Sequence, residues 1–329
     1  MPTLNDGNPT LADVSKRLDP NGKIDTIVEL LNETNEILDD ATFIEGNLPT
    51  GHRTTVRSGL PTATWRKLNY GVQPSKSRTV PVTDAAGMLE AYAEVDKALA
   101  DLNGNTSAFR LSEDRAFIES MNQEAADTLF YGDTDTDPEK FMGLAPRFDD
   151  TTAENGDNII LGDGSGSDNT SVWLIVWGPN TCHMFYPKGS KAGLQHRDLG
   201  ERTLEDANGG KYQGYRTHYK WDMGLTLRDW RYVVRIANID VSNLTKDASS
   251  GSDLVDLMTQ AIELIPNLGM GRAVFYCNKT VRSFLRRQIK NSNNVLINME
   301  QVAGKKVVTF DGIPVRRSDS ILVTEATIS

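Results

Sequence analysis

Four histidines and two cysteines are the residues of this 329-residue chain best suited to metal or nucleophilic chemistry. His52, His183, His196 and His218 never fall three to five residues apart. Cys182 and Cys277 form no Cys-x-x-Cys, so the spacings of a zinc site are missing. Cys182 and His183 are adjacent. Neighbours in a strand point to opposite faces, so these two cannot make a thiolate–imidazole pair, and both read as structural. Gly162–Asp168 is rich in glycine and serine, but Ser167 stands where Gly-x-Gly-x-x-Gly needs its last glycine. Gly210-Lys211 is followed by Tyr212, with Glu205 in place of the first Walker glycine. Gly-x-Ser-x-Gly does not occur. Asp133-Thr-Asp-Thr-Asp137 begins like a calcium loop, yet Pro138 holds position six and Leu144 position twelve. It reads as a solvated turn. Arg282, Arg286, Arg287 and Lys290 share one basic helix face, but a strand precedes that helix, so helix-turn-helix spacing fails. A solvated face or a subunit contact is expected there. No catalytic, cofactor-binding or metal-binding residue is expected anywhere, and no cofactor.

Composition agrees with that restraint. Thirty-five Lys and Arg against 45 Asp and Glu give a net charge of −10. That balance opposes a protein built to grip nucleic acid over its whole surface. No apolar run reaches the ~18 residues of a membrane span. Met1-Pro-Thr-Leu-Asn-Asp has no basic patch followed by an apolar core, so no signal peptide is expected. Two cysteines in a chain of this length read as reduced and cytosolic.

The elements follow from periodicity. Leu11, Val14 and Leu18 begin one helix; Ile24, Ile27, Val28, Leu31 and Leu38 line a second. Met88–Leu99 reads as a strand or short helix. A long helix then opens at Ser112, with Phe117, Ile118, Met121, Ala125 and Leu129 in one apolar stripe. Gly132 is expected as its positive-φ cap. From 171 to 240 the period is two. Strands are expected at Val172–Trp177, Cys182–Tyr186, Tyr215–Trp221 and Tyr232–Ile236, with turns at Gly178-Pro179, Gly189, Gly209-Gly210 and Gly224. They imply an antiparallel sheet. From 250 to 322 the pattern is α/β. Ser252 caps a helix carrying Leu254, Leu257, Met258, Ala261, Ile262 and Ile265. Ala273–Cys277 is a buried strand. Asn278 caps a helix with Val281, Phe284, Leu285 and Ile289 inward, and strands Val307–Phe310 and Ile313–Arg316 follow.

Two segments are segregated in charge. Residues 46–83 hold Arg53, Arg57, Arg66, Lys67, Lys76 and Arg78 and no carboxylate. Thr, Val, Arg and Trp65 favour extended structure, and Gly59, Pro61, Gly71 and Pro74 punctuate it. Two arms of ~16 residues would reach about 50 Å. An isolated two-stranded ribbon is marginal in water, so this one is expected to rest on another subunit. Residues 148–170 are the mirror image, with Asp149, Asp150, Glu154, Asp157, Asp163 and Asp168 and no Lys or Arg. They are expected to form a flexible surface loop and to offer carboxylates to the basic segment of a neighbour.

The order of these pieces resembles the major capsid proteins of tailed bacteriophages, which share the Hong Kong 97 fold. Extended hairpin, helix ending in Leu129-Phe-Tyr-Gly132, Pro-containing loop and Gly143-Leu144 carry one part of the likeness. Helix, strand ending in Asn278, helix, then Gly312-Ile-Pro-Val315 and Ser318-Asp-Ser-Ile321 carry the other. Thr64-Trp65 sits where that family often has a tryptophan. The sheet strands precede the axial segment here, a rearranged order that resembles some short-tailed phages. The resemblance covers about 43–322 and implies an α+β fold. Its parts would be an N-terminal helical arm (1–42), an extended β-hairpin loop (43–86), a peripheral domain with a long spine helix on an antiparallel sheet (87–147 and 171–245), the acidic loop (148–170) and an α/β axial domain (246–329). It implies a structural, non-enzymatic protein that self-assembles into pentamers and hexamers of an icosahedral virion shell. That shell would enclose double-stranded DNA without sequence-specific binding and would form in the host bacterial cytoplasm. Scaffolding, portal and cement proteins are the implied partners, and no membrane. Arg53, Arg57, Trp65, Arg66 and Lys67 are the candidate subunit-interface residues. Two other classes stay open on the residues alone: a cytosolic enzyme with an unrecognised site, and a nucleic-acid-binding protein using the two basic patches.

Overall fold

A computed structural model describes residues 9–10, 31–206, 208–249, 251–291, 297–302 and 305–329. In chain order the strands are β1 (Phe43–Glu45), β2 (Gly51–Gly59), β3 (Arg78–Ala85), β4 (Gly87–Asp96), β5 (Ile159–Leu161), β6 (Asn169–Trp177), β7 (Cys182–Tyr186), β8 (Gln195–Glu205), β9 (Lys211–Leu227), β10 (Val233–Asp240), β11 (Arg272–Cys277), β12 (Ile297–Val302), β13 (Lys305–Phe310) and β14 (Ile313–Arg317). The α-helices are α1 (Ile37–Asp40), α2 (Lys97–Ala100), α3 (Thr106–Tyr131), α4 (Leu254–Leu264) and α5 (Lys279–Asn291). The expected helices built on Leu11, Val14 and Leu18 and on Ile24, Ile27 and Val28 lie outside the described residues. Within them, only the last turn is helical, and it buries Ile37 while Leu31 stays exposed.

The chain divides into two compact units. The larger comprises residues 35–87, 127–190 and 223–329. Its centre is β6, buried at every position. A strand buried on both faces reads as a continuous apolar run rather than an alternation, which is the pattern of Val172–Trp177. β10 and β11 flank β6, both antiparallel to it. Beyond them β5 adds parallel to β10 and β14 adds parallel to β11. One face carries Val172, Leu174, Val176, Val234, Ile236, Phe275 and Val315, covered by α4 and α5. The other carries Trp173, whose ring meets Phe130 from the end of α3 and Phe148. Asp253, not Ser252, caps α4 by accepting from the amides of Val255 and Asp256. Ser252 is instead hydrogen-bonded to Asp163. Leu257 and Ile262 are only partly buried, whereas Val274, Phe275, Leu285 and Val315 are fully so.

The 148–170 segment is more ordered than its composition implies. β5 lies within it, and the amides of Gly162 and Gly164 donate to the carbonyls of Ala237 and Asn238. The C-terminal residues are stitched into the same sheet. Asn169 and Glu325 form a bridge, as do Asn35 and Ser318. Asn238 donates to the Ile328 carbonyl at 2.8 Å and accepts from the Ile328 amide at 2.9 Å.

The smaller unit comprises residues 1–34, 88–126 and 191–222. β8 pairs antiparallel with β9. Ala93, Met121 and Tyr219 form one small core, and Val95, Ala100 and Phe109 another. α3 starts at Thr106, six residues before Ser112. Ile118 points outward, so the stripe is narrower than the spacing suggests. Strand β9 and helix α3 each contribute residues to both units.

Candidate functional site

The segment with the least internal support is the ribbon β2–β3. Its strands pair antiparallel from Gly51↔Ala85 to Arg57↔Thr79, with an irregularity before Gly59↔Arg78. The paired part spans roughly 30 Å, shorter than the expected 50 Å. Pairing stops because residues 60–77 carry Pro61 and Pro74, which lack a donor. This tip is exposed throughout: Trp65 is 103% accessible, Leu68 84% and Leu60 82%. Exposed aromatic and aliphatic side chains thus stand beside Arg66 and Lys67 on the tip.

The candidate residues occupy two places. Arg53 and Arg57 stand on β2 at alternate positions of one strand face, both exposed. Arg53 Nε donates to Thr83 Oγ1 across the ribbon at 3.1 Å. Trp65, Arg66 and Lys67 stand together on the tip. The fold does not bring the two groups into one site.

The root of the ribbon, unlike the tip, is tied to the rest of the unit by side-chain bonds. Asn47 brackets Arg53, donating to its carbonyl and accepting from its amide, both at 2.7 Å. β1 runs parallel to β7, and the Gly46 amide donates to the Tyr186 carbonyl at 2.7 Å. Asp84 is buried and accepts from Arg147 at 2.9 Å. Arg147 also donates to the carbonyls of Gly143, Met142 and Leu225. A Cβ on Gly51 would collide with the Asp84 carbonyl, so glycine is required for the strands to close. Gly224 works likewise: it lies inside β9, not at a turn, and a Cβ would strike the Phe185 ring. Gly132 also serves by close approach. Its φ is not positive, but a Cβ would abut the Thr128 and Phe141 carbonyls.

Two histidines sit at this root. His52 on β2 and His183 on β7 have ring centroids 5.5 Å apart, and His52 also meets Phe185. His183 is buried, and no well-formed hydrogen bond reaches either ring nitrogen among the described residues. Burial is the main reason its pKa falls to about 4. His52 is lowered too, by burial and then by Arg228, with Asp84 opposing. Burial pushes the thiols of Cys182 and Cys277 up to about 12, which removes nucleophilic character from both.

Two further clusters escaped the sequence reading. Asp40, the last residue of α1, lies 2.6 Å from Arg272 and 3.2 Å from Arg316, and accepts from Tyr276. Burial raises its carboxyl above the ordinary range, and the two guanidiniums pull it back. Arg235 is buried on β10 and donates to Glu325 at 2.9 Å, to Ser171 and to the Phe148 carbonyl, with Trp173 beneath it. An arginine inside the apolar run Val233–Ile236 was the available signal for this cluster. Nothing local marks Glu325 as its partner. Asp84 had a signal as well, being the first carboxylate after the acid-free stretch. Among the described residues no group of three His, Cys, Asp or Glu could hold a metal ion, and no helix is long and apolar enough to cross a membrane. Asp133 spends its carboxylate on the amide of Asp135, closing the turn.

Comparison with known proteins gives this arrangement its context. The family model for major capsid protein GP7 matches residues 19–329. A chain in the cryo-EM structure of bacteriophage Epsilon15 is 43% identical, with a TM-score of 0.79, covering 100% of this chain and 99% of that one. The bacteriophage JBD30 capsid is 9% identical at a TM-score of 0.49, over 89% of this chain and 92% of that one. The capsid of a native GTA particle is 10% identical at 0.45, over 65% and 93%. No curated protein matches the chain significantly. The mixed α+β architecture matches that of the Epsilon15 chain and is the Hong Kong 97-type capsid fold. With the family model spanning nearly the whole chain and the Epsilon15 chain matching it end to end, the protein belongs to the major capsid protein GP7 family, whose members are structural phage proteins and not enzymes.

Proposed function

We propose that this capsid protein forms pentamers and hexamers that tile an icosahedral shell around double-stranded DNA, assembling in the host bacterial cytoplasm. Scaffolding, portal and cement proteins are its further partners. In this reading residues 43–86 are the extended loop, 87–147 and 171–245 the peripheral domain, 246–329 the axial domain and 1–42 an N-terminal arm. Arg53, Arg57, Trp65, Arg66 and Lys67 contact an adjacent subunit. The observation that carries the proposal is the ribbon: a root fixed by a buried ion pair and a tip whose tryptophan lies wholly in water. A free monomer gains nothing from such a tip, whereas a closed shell gives every tip a neighbour. Carboxylates of that neighbour complement the six cations of 46–83. Within 148–170, Asp150, Asp163 and Asp168 bond to their own subunit, which leaves Asp149, Glu154 and Asp157 as candidates.

The test is deletion of residues 50–80 followed by electron microscopy. The expected product is folded and soluble but forms no closed shells. Normal shells from the deletion would remove the ribbon from the interface.

A further inference from the structure

Helices α4 and α5 lie side by side on one sheet face but expose opposite charge. α5 packs on β14 and α4 on β10. The strand order β14-β11-β6-β10-β5 puts four strand spacings between β14 and the β5 edge, about 19 Å. On the β14 side a concavity of about 520 Å³ is lined by Lys279, Arg282, Ser283, Arg286, Arg287 and Arg317, with no carboxylate in its wall. Arg317 is held by a bidentate pair to Asp319. Arg287 lies over the Phe284 ring. Lys279, Arg282 and Arg287 form no ion pair among the described residues. On the β5 side a groove of about 540 Å³ is lined by the apolar Ile159, Ile160 and Leu264 together with Asp157 and Glu263. Both carboxylates are exposed and enter no ion pair among the described residues.

We infer that the basic concavity on α5 of one subunit docks against the acidic groove beside α4 of a second copy. The inference rests on the assembly reading above and names one of its contacts. The two surfaces differ in chemistry and lie at opposite sides of one layer, so the contact is head-to-tail. A head-to-tail contact closes into a ring when the rotation between copies divides a full turn. Guanidinium groups suit the carboxylates through paired, planar hydrogen bonds. The leucine and isoleucine lining supplies the dry centre that lets such charges count. A self-dimer through either surface alone would oppose like charges.

The experiment uses the full chain and measures assembly by light scattering and electron microscopy at 0.15 M salt. One variant reverses the basic side, Arg282→Glu with Arg287→Glu. A second reverses the acidic side, Asp157→Lys with Glu263→Lys. Each is expected to lower particle yield at least tenfold while circular dichroism stays that of the wild type. The chain carrying all four changes is expected to recover to within about threefold of wild type. If a reversal disturbs folding, neutral changes to Gln at the same positions are expected to preserve the order of effects in weaker form. Assembly of either reversal at wild-type yield, or no recovery in the four-fold variant, overturns the inference. So does a basic-side reversal that changes only retained nucleic acid, which would make the concavity a phosphate site. A wild-type chain that forms no particles overturns the assembly reading itself, a result separable from the others.

Discussion

His183 carries a pH dependence that can be isolated. Its pKa is about 4 in the fold against 6.5 for the free side chain, because burial disfavours the imidazolium. The unfolded chain therefore takes up the proton first as pH falls. The stability involved is fully present above pH 6.5 and is lost on acidification toward pH 4, about 3 kcal/mol in all. Urea unfolding of the unassembled chain between pH 7 and 4 is expected to show this loss, and His183→Leu to flatten it. An unchanged slope in the variant would place the acid sensitivity elsewhere. Val274 tests the sheet at the same scale. It is fully buried opposite Ile175 of β6. Val274→Asp buries an unpaired charge, at a cost of at least ~3 kcal/mol, and is expected to abolish soluble expression. A soluble, assembly-competent variant would show that β11 is not a buried strand beside β6.

Among the elements, the ribbon root is the part whose energetics are concentrated in few groups. Arg147→Met leaves Asp84 buried without its partner, a change worth about 3–5 kcal/mol. Hydrogen exchange at the β2–β3 amides is expected to rise at least a hundredfold, while the β6 amides keep their protection. Adding Asp84→Asn is expected to recover part of the loss, since it removes the stranded charge. Equal exchange in wild type and Arg147→Met would show that the ion pair does not hold the ribbon. The elements also show what the sequence made legible. Val172–Trp177, Ala273–Cys277 and the α5 face at Val281, Leu285 and Ile289 follow from apolar runs and spacing, and the structure has them there. Gln195–Glu205 is a strand with almost no apolar alternation, held by its ladder with β9, so no period announced it. The start of α3 was set six residues late because Ser112 looks like a cap while the chain actually turns at Asp101–Asn105. The tip residues were found by charge. The residues that fix the root, Asp84 and Arg147, lie 63 positions apart and meet only through the fold.

For the whole molecule the charge segregation predicts a salt response. Exposed pairs contribute only about 0–1 kcal/mol each, but a repeated cluster acts at every copy of the interface. The Debye length falls from ~10 Å at 0.1 M salt to ~3 Å at 1 M, so assembly yield is expected to fall over that range. Changing Arg53, Arg57, Arg66 and Lys67 to Gln is expected to flatten the response in light scattering. Identical salt dependence in the two proteins would reject an electrostatic role for the ribbon. A change confined to retained DNA would turn the ribbon toward the genome.

Residues 318–328 complete the central sheet from a long way off in sequence. Arg235 pairs with the Glu325 carboxylate, and Asn238 closes its pair of bonds at Ile328. Asn35, just before the ribbon, waits for Ser318. These partners lie 90 to 283 positions apart in sequence, so a chain lacking residues 318–328 would hold a buried guanidinium on β10 without its carboxylate. Contacts of such wide sequence separation also make closure slow. Clipping the chain ahead of Glu325 would therefore reach into the central sheet rather than trim a loose strip of surface.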